Sequence, residues 1–142
     1  MITAREAAEY FIYKAGIDED LITNLKLQKL LYYAQGFSLA LFDEPLFRDP
    51  LEKWRHGPVV SEIYQLYKQY GGGAIPPVED IDEKKYGEKA IGLMDEVYSV
   101  FAQFSGWALR DMTHQEPPWQ NTPDGEEIPL GAMKEYFKTK IV

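Results

Sequence analysis

The sequence predicts a mainly α fold, a compact helical bundle of about five to six helices with a small two-stranded β element between helices two and three. Hydrophobic residues recur at intervals of three and four along several segments, which is the period of a buried helix face. Clusters of proline, glycine and aspartate separate these segments. With 142 residues, 45% of them hydrophobic and 14% aromatic, the chain is expected to fold as a single domain over residues 1–142.

Helix one begins at a capping box, in which Thr3 is the N-cap and Glu6 reaches back to its amide. The residues of its apolar face are Ala4, Ala7, Ala8, Phe11 and Ala15. Gly16 is expected to end the helix, because glycine readily adopts the conformation that follows a last helical turn.

Helix two begins at Thr23 or Asn24 and is apolar on nearly every side. Its main stripe consists of Leu27, Leu30, Leu31, Ala34, Ser38 and Leu41. A helix of this kind is usually central and covered by its neighbours. Gly36 lies in its middle, where glycine costs about 1 kcal/mol relative to alanine. We therefore expect another helix to approach closely at Gly36.

The β element follows residues 43–45, which stop helix two. Residues 45–47 and 51–54 are predicted to be its two strands, on either side of a turn at residues 48–50. Two strands alone are marginal, so they are expected to pack on helix two. Pro58 is predicted to be the first residue of helix three, where its missing N–H is harmless.

Helix four is predicted to begin at Asp82, to break at Gly106 and to resume as far as Met112. Its apolar positions are Ile91, Met94, Tyr98, Phe101, Ser105 and Ala108, which recur at the helical period. Residues 113–129 are expected to be irregular. A last helix over residues 130–140 then brings Met133 and Phe137 back to the core.

The charge balance bears on the partners of the chain. There are 23 acidic and 15 basic residues, a formal net charge of −8. Nucleic-acid binding is unlikely on this balance, because affinity for phosphate comes mostly from lysine and arginine. A basic or nucleotide-binding protein partner is favoured instead. The chain has no cysteine, no signal-peptide pattern and no apolar run of membrane-spanning length, so we expect a cytoplasmic protein without a membrane partner.

The residues that commonly carry catalysis or bind cofactors give no convincing pattern. His56 and His114 lie far apart in the sequence and do not share the helical spacing of a zinc site. There is no nucleophile elbow, and the glycines at 71–73 lack the lysine of a phosphate loop. We therefore expect no metal site, no cofactor and no enzymatic activity.

The segments at residues 54–58 and 113–119, together with two residues of helix two, are the better candidates for a specific role. The residues that we single out for partner binding or as motif positions are Lys29, Tyr32, Trp54, Arg55, His56, Gly57, Pro58, Thr113, His114, Pro118 and Trp119. A helix that begins at Gly57 and Pro58 would present its N-terminus to a carboxylate. The alternative is structural, with Trp54 in the core, Trp119 against helix two or three, and each histidine bonded to a backbone group.

Polar and aromatic residues near helix two also admit two interpretations. Lys29 is expected either at a solvated edge or paired with Glu6 or Glu9 of helix one. The surplus of tyrosines, which includes Tyr32, either packs in the core or forms an interaction face, since tyrosine is enriched where proteins bind one another.

Three ordered blocks together resemble the Panacea-domain family. They are NLKLQKLLYYAQG from residue 24, WRHGPV from residue 54 and THQEPPW from residue 113. The family includes SocA-like and phage-associated proteins of mobile genetic elements. The resemblance implies an antitoxin that neutralises a cognate protein toxin, encoded by the adjacent gene, through direct protein–protein binding. SocA-like members can instead act as adaptors that deliver the toxin to a Clp-type protease.

Two further alternatives come from the residues themselves. A small enzyme would use His56 and His114 as acid and base. A DNA-binding autoregulator would use helices two and three as a helix-turn-helix, although the long connection between them argues against a motif that needs a short turn. The sequence leaves open the identity of the toxin, the position of the interface and the oligomeric state.

Overall fold

The computed structural model describes residues 1–141, which form a mainly helical bundle with one two-stranded antiparallel sheet between the second and third helices. The α-helices are α1 (Ala4–Ile17), α2 (Asn24–Phe42), α3 (Ser61–Tyr67), α4 (Glu88–Phe101), α5 (Gly106–Thr113), α6 (Pro117–Gln120) and α7 (Leu130–Lys138). The strands are β1 (Glu52–Trp54) and β2 (Gly57–Val59). This arrangement confirms the predicted fold class.

The starts of α1 and α2 agree with their predicted caps. The Glu6 amide donates to the Thr3 hydroxyl at 3.0 Å, and the Thr3 amide donates to the Glu6 carboxylate at 2.9 Å. Thr23 caps α2 by accepting from the Lys26 amide at 3.2 Å. These bonds satisfy amides that would otherwise lack partners in the first helical turn.

Helix α2 is the centre of the bundle and contacts α1, α3, α4, α5, α7 and β2. Its close contact with α7 occurs at Gly36. A Cβ atom built on Gly36 would lie 2.1 Å from the Phe137 ring, so no larger residue fits without displacing that ring. The predicted close approach at Gly36 is confirmed, and α7 is the helix that makes it.

The β element lies later in the chain than we predicted. Strands β1 and β2 pair antiparallel with Glu52 opposite Val59 and Trp54 opposite Gly57, so the turn falls at residues 55 and 56. The prediction of a strand at residues 45–47 was wrong. That segment is held by the Gln35 side chain, which donates to the Phe47 carbonyl at 2.8 Å and accepts from the Leu46 amide at 2.7 Å.

The predicted start of helix three at Pro58 was also wrong, because Pro58 lies in β2 and α3 begins at Ser61. Gly57 has a φ of +111°, which is outside the helical region. The Val60 amide donates to the Gln28 side chain of α2 at 2.9 Å. Pro58 therefore lies in an extended strand, and its fixed φ is compatible with that position.

The remaining helix boundaries differ from prediction by up to six residues, and the largest difference is at the start of α4. Asp82 caps a 3₁₀ turn, Glu83–Lys85, and α4 begins only at Glu88. The break near Gly106 is confirmed, since Ser105 caps α5 by accepting from the Ala108 amide at 3.0 Å. Helix α6 occupies part of the segment predicted to be irregular, and α7 ends at Lys138.

None of the helices in residues 1–141 combines the length and apolar character that a membrane crossing requires.

Candidate functional site

The three sequence blocks meet around Gly57. A Cβ atom on Gly57 would lie 2.3 Å from Lys29 Cε and 2.9 Å from Thr113 Oγ1. Lys29 belongs to α2 and Thr113 ends α5, so the hairpin backbone is inserted between these two helices. We call Lys29, Gly57 and Thr113 the motif junction. The positive φ and the close contacts both require glycine at its centre.

Lys29 is fully buried, contrary to the solvated edge or the acidic partner on helix one that we expected. Its ammonium group donates to the Pro58 carbonyl at 3.2 Å and so ties α2 to the hairpin. Burial, and then the positive charge of Arg110, lowers the pKa of Lys29 to about 7. Burial thus favours the neutral amine over the ammonium form.

The THQEPPW block closes onto the hairpin through Trp119. The Trp119 ring stacks on the His114 ring with centroids 3.9 Å apart and an angle of 11° between the planes. Its indole N–H donates to the Trp54 carbonyl at 2.9 Å, and Lys53 Nζ lies 4.1 Å from its ring centroid. Trp119 thus contacts the hairpin, where we expected it to pack against helix two or three. Pro118 is buried.

Trp54 is half-buried, with its ring edge against Tyr64 at a centroid distance of 4.9 Å. Its indole N–H donates to the Glu52 carboxylate at 3.0 Å. The expected core position of Trp54 is therefore only partly realised. One side of the ring rests on α3, and the Trp54 backbone accepts the bond from Trp119.

Tyr32 is also fully buried and belongs to a polar cluster that sequence reasoning missed. Its hydroxyl donates to Glu116 Oε1 at 2.9 Å, and the Tyr33 hydroxyl donates to Glu116 Oε2 at 2.8 Å. Burial raises the pKa of Glu116, and the hydrogen bonds from Tyr33, Tyr32 and Tyr136 oppose that rise. The tyrosine-face interpretation fails for Tyr10, Tyr32 and Tyr33, which are no more than 3% exposed.

The turn of the hairpin, next to Gly57, faces solvent. Arg55 and His56 form its turn and are exposed. Beside them Trp107, the second residue of α5, is 58% exposed. The His56 and Trp107 rings meet edge to face at 5.1 Å, and the Arg110 guanidinium carbon lies 5.9 Å from the Trp107 ring. We call Arg55, His56, Trp107 and Arg110 the hairpin patch.

Sequence reasoning did not single out Trp107 and Arg110. The position of Trp107 around the helix could have indicated its exposure. The buried positions of α5 are Leu109 and Thr113, and Trp107 does not lie on the helix face that they form. A tryptophan out of phase with the core on a short helix indicates an exposed aromatic side chain. To use this pattern, one has to know where α5 begins.

The hairpin patch is positively charged. Partial burial, and then the charges of Arg110, Arg55 and Lys29, lower the pKa of His56. Burial and then Arg110 likewise lower the pKa of His114, although a hydrogen bond with the Arg55 backbone opposes the shift. Arg110 pairs with Asp111 at 2.8 Å. Its Nε, like His114 Nε2, is buried without a hydrogen-bond partner among residues 1–141.

The two histidines contact different aromatic residues, His56 with Trp107 and His114 with Trp119. Within the described part of the chain, no three histidine, cysteine or carboxylate side chains are grouped as a metal site requires. The site therefore presents a surface of aromatic and cationic groups over a buried polar junction.

The similarity to known proteins covers the elements that build this site. A family model described as "Antitoxin SocA-like, Panacea domain" matches residues 27–120, from α2 through α6. Antitoxin SocA of Caulobacter vibrioides (strain NA1000 / CB15N) is 37% identical over 70 residues, which cover 49% of this chain and 37% of that protein. The match thus spans little more than a third of the length of the curated relative. No solved structure matches the chain.

Proposed function

The chain belongs to the SocA-like Panacea-domain family, and we propose that it is the antitoxin of a toxin–antitoxin pair on a mobile genetic element. In this proposal it acts in the cytoplasm, without enzymatic activity, by binding its cognate protein toxin directly. The match of the antitoxin family over residues 27–120 carries the proposal. It is supported by the printed name of the relative, Antitoxin SocA.

The geometry around Gly57 is compatible with a binding module. The residues of the motif junction are buried and closely packed, and they hold a hairpin whose turn is exposed. A surface held in this way loses little conformational freedom when a partner docks on it. We propose that the bound domain covers the substrate site of the toxin or holds the toxin in an inactive shape.

Burial divides the motif residues between two roles in this proposal. Lys29, Tyr32 and Thr113 are buried and act by positioning the hairpin and α5, since they cannot touch a partner. Arg55 and His56 are exposed and available for direct contact.

Coexpression tests the proposed function. The product of the adjacent gene should arrest growth when it is produced alone, and coproduction of this chain should restore growth. The two purified proteins should then form a complex that survives size-exclusion chromatography. A harmless adjacent gene product, or one that stays toxic beside this chain, would refute the proposal.

The same experiment separates blocking from delivery to a protease. Toxin levels are measured by immunoblot during rescue, in a host with its Clp proteases and in one without them. Direct neutralisation predicts a stable toxin and full rescue in both hosts. Rescue that requires the protease and depletes the toxin would contradict blocking and indicate an adaptor.

A further inference from the structure

We propose that the hairpin patch, formed by Arg55, His56, Trp107 and Arg110, is the surface that contacts the toxin and that it recognises an acidic segment of that partner. The inference rests on the proposed function and names the surface and the chemistry by which it would operate. Three independent features of the patch support it.

The first feature is the exposure of Trp107. Helix α5 buries Leu109 completely and leaves Trp107 58% exposed, so this indole contributes little to the core. His56 and Arg110 nevertheless contact its ring, which limits its motion. Tryptophan and arginine are the residue types that most often carry the binding energy of protein interfaces, especially when they are preorganised.

The second feature is the sign of the local charge. The chain carries a formal net charge of −8, yet the charged groups that act on His56 are Arg110, Arg55 and Lys29, all of them positive. Asp111 is the acidic group that faces Arg110. A positive patch on an acidic protein attracts an acidic segment of a partner. The rest of the protein surface is acidic and attracts basic surfaces more strongly than the patch repels them. The patch therefore selects the orientation of docking.

The third feature is unused hydrogen-bonding capacity. Arg55 takes part in none of the ion pairs formed within residues 1–141, and its side chain lies at the exposed turn. A guanidinium group presents a planar fork of donors that fits a carboxylate with two parallel bonds. An aspartate or glutamate of the partner would satisfy the donors of Arg55.

Nucleic acid is the less suitable occupant. Its affinity grows with the number of phosphates neutralised, and two arginines on a chain of net charge −8 neutralise few of them. One or two carboxylates beside an apolar side chain match the size and composition of the patch better.

Affinity measurements with the purified product of the adjacent gene test this inference. The test variants are Arg55→Glu and Trp107→Ala. The controls are Lys84→Glu, which makes the same charge reversal on the exposed 3₁₀ turn Glu83–Lys85, and Phe42→Ala, which removes another partly exposed aromatic ring. Phe42 lies about 20 Å from Lys29 along α2, at 1.5 Å per residue. Circular dichroism verifies that all four variants fold.

Each test variant should weaken binding about tenfold or more, as truncated hot-spot residues do, and each control should stay within about twofold of wild type. Arg55→Glu should also flatten the dependence of the association rate on salt. Wild-type affinity in both test variants would overturn the inference and leave the proposed function intact. Absence of binding by the wild-type chain would refute the proposed function and the inference together. Competition by a short single-stranded RNA at similar affinity would overturn the choice of an acidic protein segment.

Discussion

Replacing Lys29 with methionine should remove a pH dependence of stability that the wild-type chain carries. The lysine is fully buried, and its pKa is lowered from 10.5 to about 7 by burial and then by Arg110. Methionine has a similar length and no charge, so it preserves most of the packing. It loses the bond from Lys29 to the Pro58 carbonyl, a loss that does not depend strongly on pH.

The sign follows from the protons bound in each state. Between pH 7 and the ordinary lysine pKa of 10.5, the unfolded chain binds more protons at Lys29 than the folded chain does. The free energy of unfolding therefore rises with pH in this window. Below about pH 7 both states are protonated, and the full penalty of burying the charge remains. From pH 7 to about pH 9.5 the gain amounts to roughly 3 kcal/mol.

Urea denaturation followed by circular dichroism measures this difference. Over the same pH range, the free energy of unfolding of wild type should rise by roughly 3 kcal/mol relative to that of Lys29→Met. In a thermal denaturation experiment this corresponds to a relative shift of roughly 10 °C in Tm. The range stops below the ordinary pKa of the buried tyrosines, whose own titration would otherwise contribute. Lys138→Met, which removes an exposed lysine at the end of α7, is the control. Profiles for wild type and Lys29→Met that stay parallel would refute the argument.

Three further changes test the packing around the site by urea denaturation. Gly36→Ala should destabilise the fold by about 1–3 kcal/mol, because its Cβ would overlap the Phe137 ring; unchanged stability would contradict the close approach. Glu116→Ala should cost about 2–4 kcal/mol, since it leaves two buried tyrosine hydroxyls unpaired, and a loss below about 1 kcal/mol would show that water replaces the carboxylate. Trp119→Phe should cost about 1 kcal/mol, because it removes the bond to the Trp54 carbonyl and keeps an aromatic ring over His114. Unchanged stability would exclude that bond as a stabilising contact.

The helices that sequence reasoning located well are those whose signals are local. The capping box at Thr3 and the all-round apolar pattern of α2 depend on neighbours within a few residues, and both were confirmed. The hairpin was misplaced because its position is decided by α2. Gln35 engages the backbone of residues 46 and 47, and Gln28 engages the amide of Val60. No pattern within residues 43–60 reveals those partners.

The same reason explains what was missed at the site. The three blocks could be recognised as related parts of one sequence pattern, but their meeting at Gly57 depends on the packing of three separate elements. Lys29 was expected at a solvated edge or paired with an acidic residue of helix one, because it is one of the few polar residues of helix two. Its burial follows from the path of the hairpin over α2, which brings the Pro58 carbonyl within hydrogen-bond distance.

Burial also explains how residues that never touch a partner would control binding. The strands that flank the turn are both fixed, β2 by the bond from Lys29 to the Pro58 carbonyl and β1 by the bond from Trp119 to the Trp54 carbonyl. The turn between them is only two residues long, so the exposed groups of the hairpin patch have little backbone freedom. Ordering a loose side chain at an interface costs about 0.5–1.5 kcal/mol. Part of this cost does not arise on binding here, because folding already restricts these side chains. Loosening either anchor would therefore weaken partner binding by disordering the turn, even though both anchors lie beneath the surface that we propose the partner contacts.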